Sequence, residues 1–307
     1  MASVSRHSQL PRRPRVLAIY KKSAYQTYVR ERKNPRMQEL LKQKDRSVER
    51  LLESHEAHVA GVKAAHEILT SLGAKVVLRY RSDPGQTDDF DLVVTLGGDG
   101  TLLWVSHLVG AQVPLLAINT APDDSVGHYC AGSIEHMPAL FTQALAGTLP
   151  SVRLTRMRVE MDGELVNNRV LNETLFAHEC PAATSRYLIE HDGIMEDQKS
   201  SGIWVGPAAG STAARRSAGG KVMPLQSRRL QFVVREPYVN RGRTHRIVQG
   251  YVPEGGQLIL QSKMRPGRLY LDGPRIQRIV EFGAVLRMTQ SEEPLWLLGH
   301  RRTQHAV

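Results

Sequence analysis

Aromatic residues are scarce in this 307-residue chain, at 6%, and cysteine is scarcer still, with only Cys130 and Cys180. Two cysteines that form no CxxC pair exclude a disulfide framework and place the expected home of the protein in a reducing cytoplasm. No apolar run approaches the ~18 residues that a membrane helix needs, and the basic N-terminus lacks the apolar segment of a secretory signal. Internal repeats and low-complexity tracts are absent as well. Acidic residues also fall short. Thirty Asp and Glu stand against 41 Lys and Arg, a net charge of +11. That balance suits a polyanionic partner, either nucleic acid or a phosphorylated small molecule. Arg12-Arg13-Pro14-Arg15 and Arg301-Arg302 lie near the termini, where they read as solvated tails. No nucleic-acid-binding motif accompanies them, so neither nucleic acid nor membrane is an expected partner.

What the chain does have is the stretch from Asp91 to Leu103. Leu92 to Leu96 is short, apolar and rich in β-branched residues, which predicts a buried parallel strand. Gly97 and Gly98 end it, and Thr101 to Leu108 then carries a helical pattern closed by Gly110. A strand passing through glycines into a helix start is the geometry that binds phosphate. The backbone can approach closely, and the first free N–H groups of the helix point at the anion. Asp99 does not fit a pure phosphate cradle. Its carboxylate either caps the helix or has chemistry to do, accepting a proton from an attacking hydroxyl or helping to hold magnesium on the phosphates.

The remaining elements alternate in the first half of the chain. Residues 1 to 14 are expected to be a disordered basic tail. Strands are expected at Val16 to Tyr20, Ala74 to Leu78 and Pro114 to Ile118, with a long helical signal over residues 35 to 72 and a short helix from Glu135 to Gly147. Lys21 and Lys22 follow the first strand, where side chains of an open α/β sheet can reach ligand phosphates. Strands and helices in that alternation predict a doubly wound α/β domain over residues 15–148. After Pro150 the texture becomes short strands separated by turns, beginning with Val152 to Met161. Asp162-Gly163 is a hairpin signal, and a β-sandwich is expected over residues 149–284. The segment 285–307 remains at the end.

Two further groups stand out in the β half. Asn172-Glu173 interrupts an apolar run, and an amide beside a carboxylate can hold the hydroxyls of a ribose or a phosphate–hydroxyl pair. Ser201 to Ala214 is rich in small residues and hydroxyls, and Ser217-Ala218-Gly219-Gly220 continues the theme. Such a surface is either a flat bed for a ring or ribose, or a tightly packed turn. The three groups occur in the order Gly97-Gly98-Asp99-Gly100-Thr101, Asn172-Glu173 and Ala209-Gly210-Ser211-Thr212-Ala213, across an α/β-to-β boundary. In this the chain resembles the NAD kinase family, and within it the plant-type NADH kinase branch. Ala177-His178-Glu179-Cys180-Pro181-Ala182-Ala183 and Leu230 to Pro237 extend the resemblance.

The resemblance implies transfer of the terminal phosphate of ATP to the 2′-hydroxyl on the adenosine ribose of NAD(H). Asp99 would be the catalytic base, with Gly97, Gly98, Gly100 and Thr101 lining the phosphate loop. Asn172, Glu173, Ser211, Thr212, Ala213 and Ser217 would bind the dinucleotide. It also implies magnesium or another divalent ion accompanying ATP, a homodimer or higher oligomer, and a final segment from residue 285 packing back on the first domain. The chain departs from the family pattern in three places. Ala214 stands where a tyrosine is usual, Ser201 where an aspartate is usual, and Gly127 to Ala131 lacks the usual phenylalanine. A lipid kinase sharing the first glycine motif, or a non-catalytic dinucleotide-binding regulator, is the alternative reading. His128 with Cys130 and His178 with Cys180 do not make a zinc site, and Ser211 lacks a G-x-S-x-G elbow.

Overall fold

A computed structural model describes residues 5–6, 10–122, 125–238 and 245–300. The chain divides into two compact units, Met1–Val152 with Trp296–Val307, and Arg153–Leu295.

The first unit is built on an eight-stranded sheet. Leu92–Leu96 and Leu115–Asn119 are buried at every position, as strands covered on both faces must be. Arg15–Tyr20 lies between Lys75–Tyr80 and Leu92–Leu96, parallel to both, and Leu115–Asn119 follows outside Leu92–Leu96. The chain therefore moves outward in one direction from its first parallel strand, then returns and builds in the other. Arg15–Tyr20 and Leu92–Leu96 flank the switch point, and ligands of open α/β sheets bind beyond the carboxyl ends of such strands. Lys21-Lys22 and Gly97-Gly98-Asp99 emerge there. The helix Leu51–Ser71 sends Ala65 and Leu69 into a core shared with Val16, Val94, Leu116, Ile118 and Phe141.

Several expectations for this unit need correction. The helical signal over 35–72 resolves into Pro35–Lys42, one 3-10 turn and Leu51–Ser71. Asn34 caps the first piece through the Met37 N–H, Lys44 takes a positive φ of 52°, and Asp45 caps the turn, so the break is written in local chemistry. The tail expected to be disordered has structure at its described residues. Ser5–Arg6 pairs antiparallel with Pro150–Ser151, Leu10 packs on the core, and the Pro14 carbonyl accepts the Lys75 N–H. Arg301-Arg302 lies outside the described residues.

The second unit is two six-stranded antiparallel sheets. Phe176, Ile203, Val205, Phe232 and Leu269 from one share a single core with Tyr187, Ile189, Leu260, Leu286 and Met288 from the other. Each buried side chain of this size contributes about 1.5–3 kcal/mol. The expected strand over 152–161 is two strands, Pro150–Leu154 in the first unit's sheet and Met157–Met161 in the second unit. Between them Arg156 is fully buried and donates through Nε to the Glu293 carbonyl at 2.6 Å. The return of the C-terminus also begins later than residue 285. Val285–Gln290 pairs on both sides within the second unit, while Leu295–Leu298 joins the first unit's sheet beside Leu115–Asn119.

Candidate functional site

The Asp99 loop belongs to the first unit. Leu96 ends its strand, the Gly97 N–H donates to the Ile118 carbonyl at 3.0 Å, and the helix Asp99–Ser106 starts at once with Gly98 as its cap. Side chains are excluded at both glycines. A Cβ on Gly97 would collide with the Thr101 side chain, and one on Gly98 with Ser125. At Gly100 nothing lies within 4 Å, so the loop is open on that side. The N-terminal N–H groups of a helix have no intrahelical partners and carry its positive end. The Thr101 hydroxyl is buried and has no partner among the described residues.

Asp99 does not cap its helix. No side chain makes the cap bond there. Its carboxylate instead accepts two backbone N–H groups from a different loop, His128 to Oδ2 at 2.8 Å and Tyr129 to Oδ1 at 2.9 Å. One oxygen is thus fixed by each amide, and the carboxylate plane is set by the 119–130 loop. The segment that lacks the family's usual phenylalanine is therefore the one that orients Asp99. Cys130, next in the chain, carries a thiol that burial, with some help from the Asp99 charge, pushes up to about 12. It is not a nucleophile.

Asn172 and Glu173 lie in the second unit, between two strands, on a turn fastened by a residue that sequence reasoning missed. Asp272 accepts the N–H groups of Leu171 at 2.8 Å, Asn172 at 2.7 Å and Glu173 at 3.0 Å, and its own N–H donates to the Glu173 carbonyl. Asp272 and Gly273 both have positive φ, at 48° and 105°, in the hairpin between Gly267–Leu271 and Ile276–Val280. Asp-Gly is a strong hairpin signal, and it was available at this position. Glu173 is 8% exposed and its Oε2 has no partner among the described residues. Burial first, then the neighbouring Asp272 charge, pushes its carboxyl up to about 7, with Arg215 pulling the other way.

The small-residue segment explains itself against this turn. A Cβ on Gly206 would strike the Asn172 carbonyl and Glu173, and one on Gly210 would fall on the Asn172 backbone. The two sequence motifs of the β half are therefore one packed unit. Arg215, fully buried, locks it from beneath by donating to the carbonyls of Gly206, Pro207 and Gln231. Ser211 is buried, and its hydroxyl accepts the Met223 N–H at 2.9 Å, a structural use. Thr212 and Ser217 are exposed and Ala213 half-buried. Ser201, the position where an aspartate was expected, is half-buried, and its carbonyl accepts a bond from the Arg235 guanidinium at 3.3 Å. Of the other sequence candidates, His178 accepts the Cys180 N–H through Nδ1. No group of three or more His, Cys, Asp or Glu able to hold a metal occurs among the described residues.

Comparison with known proteins bears on the family. The family model described as "ATP-NAD kinase N-terminal domain" matches residues 5–149. An NADH kinase from Arabidopsis thaliana is 32% identical over 276 residues, covering 82% of this chain and 86% of that protein. A probable NADH kinase from Oryza sativa subsp. japonica is 32% identical over 228 residues, or 67% and 70% of the two chains. Among solved structures, an NAD kinase from Archaeoglobus fulgidus in complex with ATP superposes with a TM-score of 0.66 at 20% identity, covering 94% of each chain. Yeast NADH kinase complexed with NADH gives 0.65 at 16% identity, covering 95% of this chain and 85% of that one. At those identities the structures show the fold, and the plant relatives carry the assignment. The chain belongs to the NAD kinase family.

Proposed function

We propose that this kinase transfers the γ-phosphoryl group of ATP to the 2′-hydroxyl on the adenosine ribose of NAD(H), and that it prefers the reduced dinucleotide. The observation that carries the reading is the Asp99 carboxylate, held by two amides from outside its own helix rather than spent on a cap. In the reaction Asp99 takes the proton of the 2′-hydroxyl as that oxygen bonds the γ-phosphorus. The bond from the γ-phosphorus to the β–γ bridging oxygen breaks, and ADP leaves. Phosphoryl transfer needs mainly alignment and charge neutralisation, so a modest base in a fixed place is sufficient. Gly98 and Gly100 would bring backbone N–H groups and Thr101 a hydroxyl to the phosphates, while Gly97, whose N–H is spent on the Ile118 carbonyl, would keep the loop's backbone bare for their approach.

The described residues offer magnesium no protein cage. That fits an ion that enters on the triphosphate, since magnesium is commonly held by substrate phosphates with one or two carboxylates. Bound there, it would neutralise the charge on the transferring group. Asn172 and Glu173 would hold ribose hydroxyls, with exposed Thr212 and Ser217 and half-buried Ala213 as the margin of the same bed. We place the enzyme in the cytoplasm as a homodimer or larger oligomer.

The preference for NADH rests on Ser201 and Arg235. A serine replaces the acid that would attract a positive nicotinamide ring, and a guanidinium lies beside it. Formation of NADP(H) from ATP, magnesium and each dinucleotide tests the function. Product from NADH, largely lost in Asp99→Asn, is expected. A folded, nucleotide-binding protein that makes no product from either dinucleotide would instead be a binding regulator. Ser201→Asp should move the ratio of the two kcat/KM values toward NAD⁺. An unchanged ratio sinks the preference argument.

A further inference from the structure

Asn119 is a buried polar residue that the proposed reaction leaves unused. It ends the strand Leu115–Asn119 at 5% exposure, one residue after Ile118, which pairs with Leu96 and accepts the Gly97 N–H. The residue therefore stands beside the start of the Asp99 loop. An amide taken out of water needs a partner at each end. Asn119 finds both in the chain that follows it. Its Oδ1 accepts the Ala121 N–H at 3.2 Å, and its Nδ2 donates to the Ser125 carbonyl at 2.8 Å. One partner is a donor and the other an acceptor, so together they fix which way the amide faces.

The first bond turns the chain as it leaves the strand, since a side-chain oxygen accepting the N–H two residues on imitates a backbone turn. The second reaches across the loop and draws its far side back. Gly127 then packs directly on the same side chain. Its φ is 64°, and a Cβ there would lie 2.6 Å from Asn119 Nδ2. Main-chain bonds hold the other end. The Cys130 N–H donates to the Gly127 carbonyl at 3.0 Å, and the Ala131 N–H to the Ala117 carbonyl at 2.9 Å. Cys130 Sγ, 3.8 Å from the Gly97 carbonyl, adds only a weak bond.

His128 and Tyr129, whose N–H groups hold the two oxygens of Asp99, lie between these supports. Ala131 is tied to the sheet on one side of them, and Gly127 rests on Asn119 on the other. Ser125, drawn in by the same amide, is the residue that a Cβ on Gly98 would strike. One side chain thus sets the loop against both the acid and the glycine before it.

We propose that Asn119 is a positioning residue for phosphoryl transfer, its amide shaping the loop so that the His128 and Tyr129 N–H groups aim the Asp99 carboxylate. The proposal rests on the reading of Asp99 as the base, and Asn119 itself acts through the loop. A reacting group displaced by about 1 Å can cost about 10²-fold in rate, so a support removed from the chemistry can matter this much.

The test combines amide exchange with a double-mutant cycle on the full chain. Asn119→Ala removes both bonds, and Asn119→Asp keeps the shape and the acceptor but sets an oxygen against the Ser125 carbonyl. In each variant the His128 and Tyr129 amides should exchange at least about tenfold faster by NMR, with those of Leu92–Leu96 unchanged, which separates a loosened loop from a loosened fold. The kcat should fall by about 10- to 100-fold, with little change in KM for the dinucleotide. In an Asp99→Asn background the same substitutions should lower the residual rate by less than about twofold, because the group they misplace is gone. Unchanged exchange, or an equal loss of kcat in both backgrounds, would overturn the proposal while Asp99→Asn alone still shows its own loss. Full activity in Asp99→Asn alone would overturn the base assignment, and the catalytic role of Asn119 with it.

Discussion

The Asp99 loop and the Asn172–Glu173 turn use the same parts in opposite ways. Each brings a carboxylate against backbone N–H groups on an open or tightly turned segment. In the first, the fastened acid is the one proposed to react, and the loop that supplies the amides is the support. In the second, the fastened acid is Asp272, which binds three N–H groups and is the support, while Glu173 stands buried with one oxygen that has no partner among the described residues. On the proposed roles, the base would be oriented by holding the base itself, whereas the binding group would be held through its backbone, leaving its polar atoms for a ligand. A carboxylate saturated with amides is not by that fact structural, and a lone buried one is not by that fact an error.

The largest effect is expected where fastening and chemistry coincide. Asp99→Asn removes the proposed base, with an expected loss of about 10²–10⁴ in kcat. It also turns an amide donor toward the N–H of His128 or Tyr129, so the loop should loosen too. A kcat loss with no change in stability would mean that the two amides do not hold the side chain. Asp272→Ala should separate the two roles in the other region. Three N–H groups lose their acceptor, at a cost of about 2–4 kcal/mol in denaturant unfolding, and KM for the dinucleotide should rise with little change in kcat for turnover at saturation. An equal fall in kcat would move Asp272 into the chemistry. Gly210→Ala is expected to cost about 1–3 kcal/mol, because its methyl falls on the Asn172 backbone and must push the turn aside. A neutral result in both stability and KM would separate the two motifs again.

The difference between the regions also decides what could be read from the sequence. The strand, glycines and helix around Asp99 were legible because they are contiguous, and local chemistry fixes them. Even there the partners of Asp99 were not, since His128 and Tyr129 contribute backbone amides, and any residue but proline has one. The β-sandwich was legible as a class, but Ile194–Ser200 was missed because an edge strand with one solvated face reads as polar loop. Val152 to Met161 read as one strand because burial of Arg156 depends on the Glu293 carbonyl, far along the chain. Gly206 and Gly210 announced close approach, yet only the fold shows that Asn172 is what approaches. Asp272 was hidden by its own clarity, since Asp-Gly in a hairpin is already explained by the turn.

Glu173 offers the finest test of the contrast, because an uncommitted buried acid should titrate. Its carboxyl stands at about 7 in the folded chain against an ordinary 4.5, with burial the leading cause. A raised carboxyl pKa means that the folded state favours the protonated form. No penalty exists below about pH 4.5. It grows as pH rises toward 7, and above that it is complete at about 3 kcal/mol. Glu173→Gln removes the titration, so its stability relative to the parent should be unchanged near pH 4 and should rise with pH to a plateau above 7. Denaturant unfolding across that range reads the difference directly. A flat difference would place a permanent partner on Oε2 and make Glu173 another fastener. If Glu173 binds a ribose hydroxyl as proposed, the same variant should bind dinucleotide more weakly even where it is more stable, because the penalty would then be the cost of keeping a charged acceptor ready for that hydroxyl.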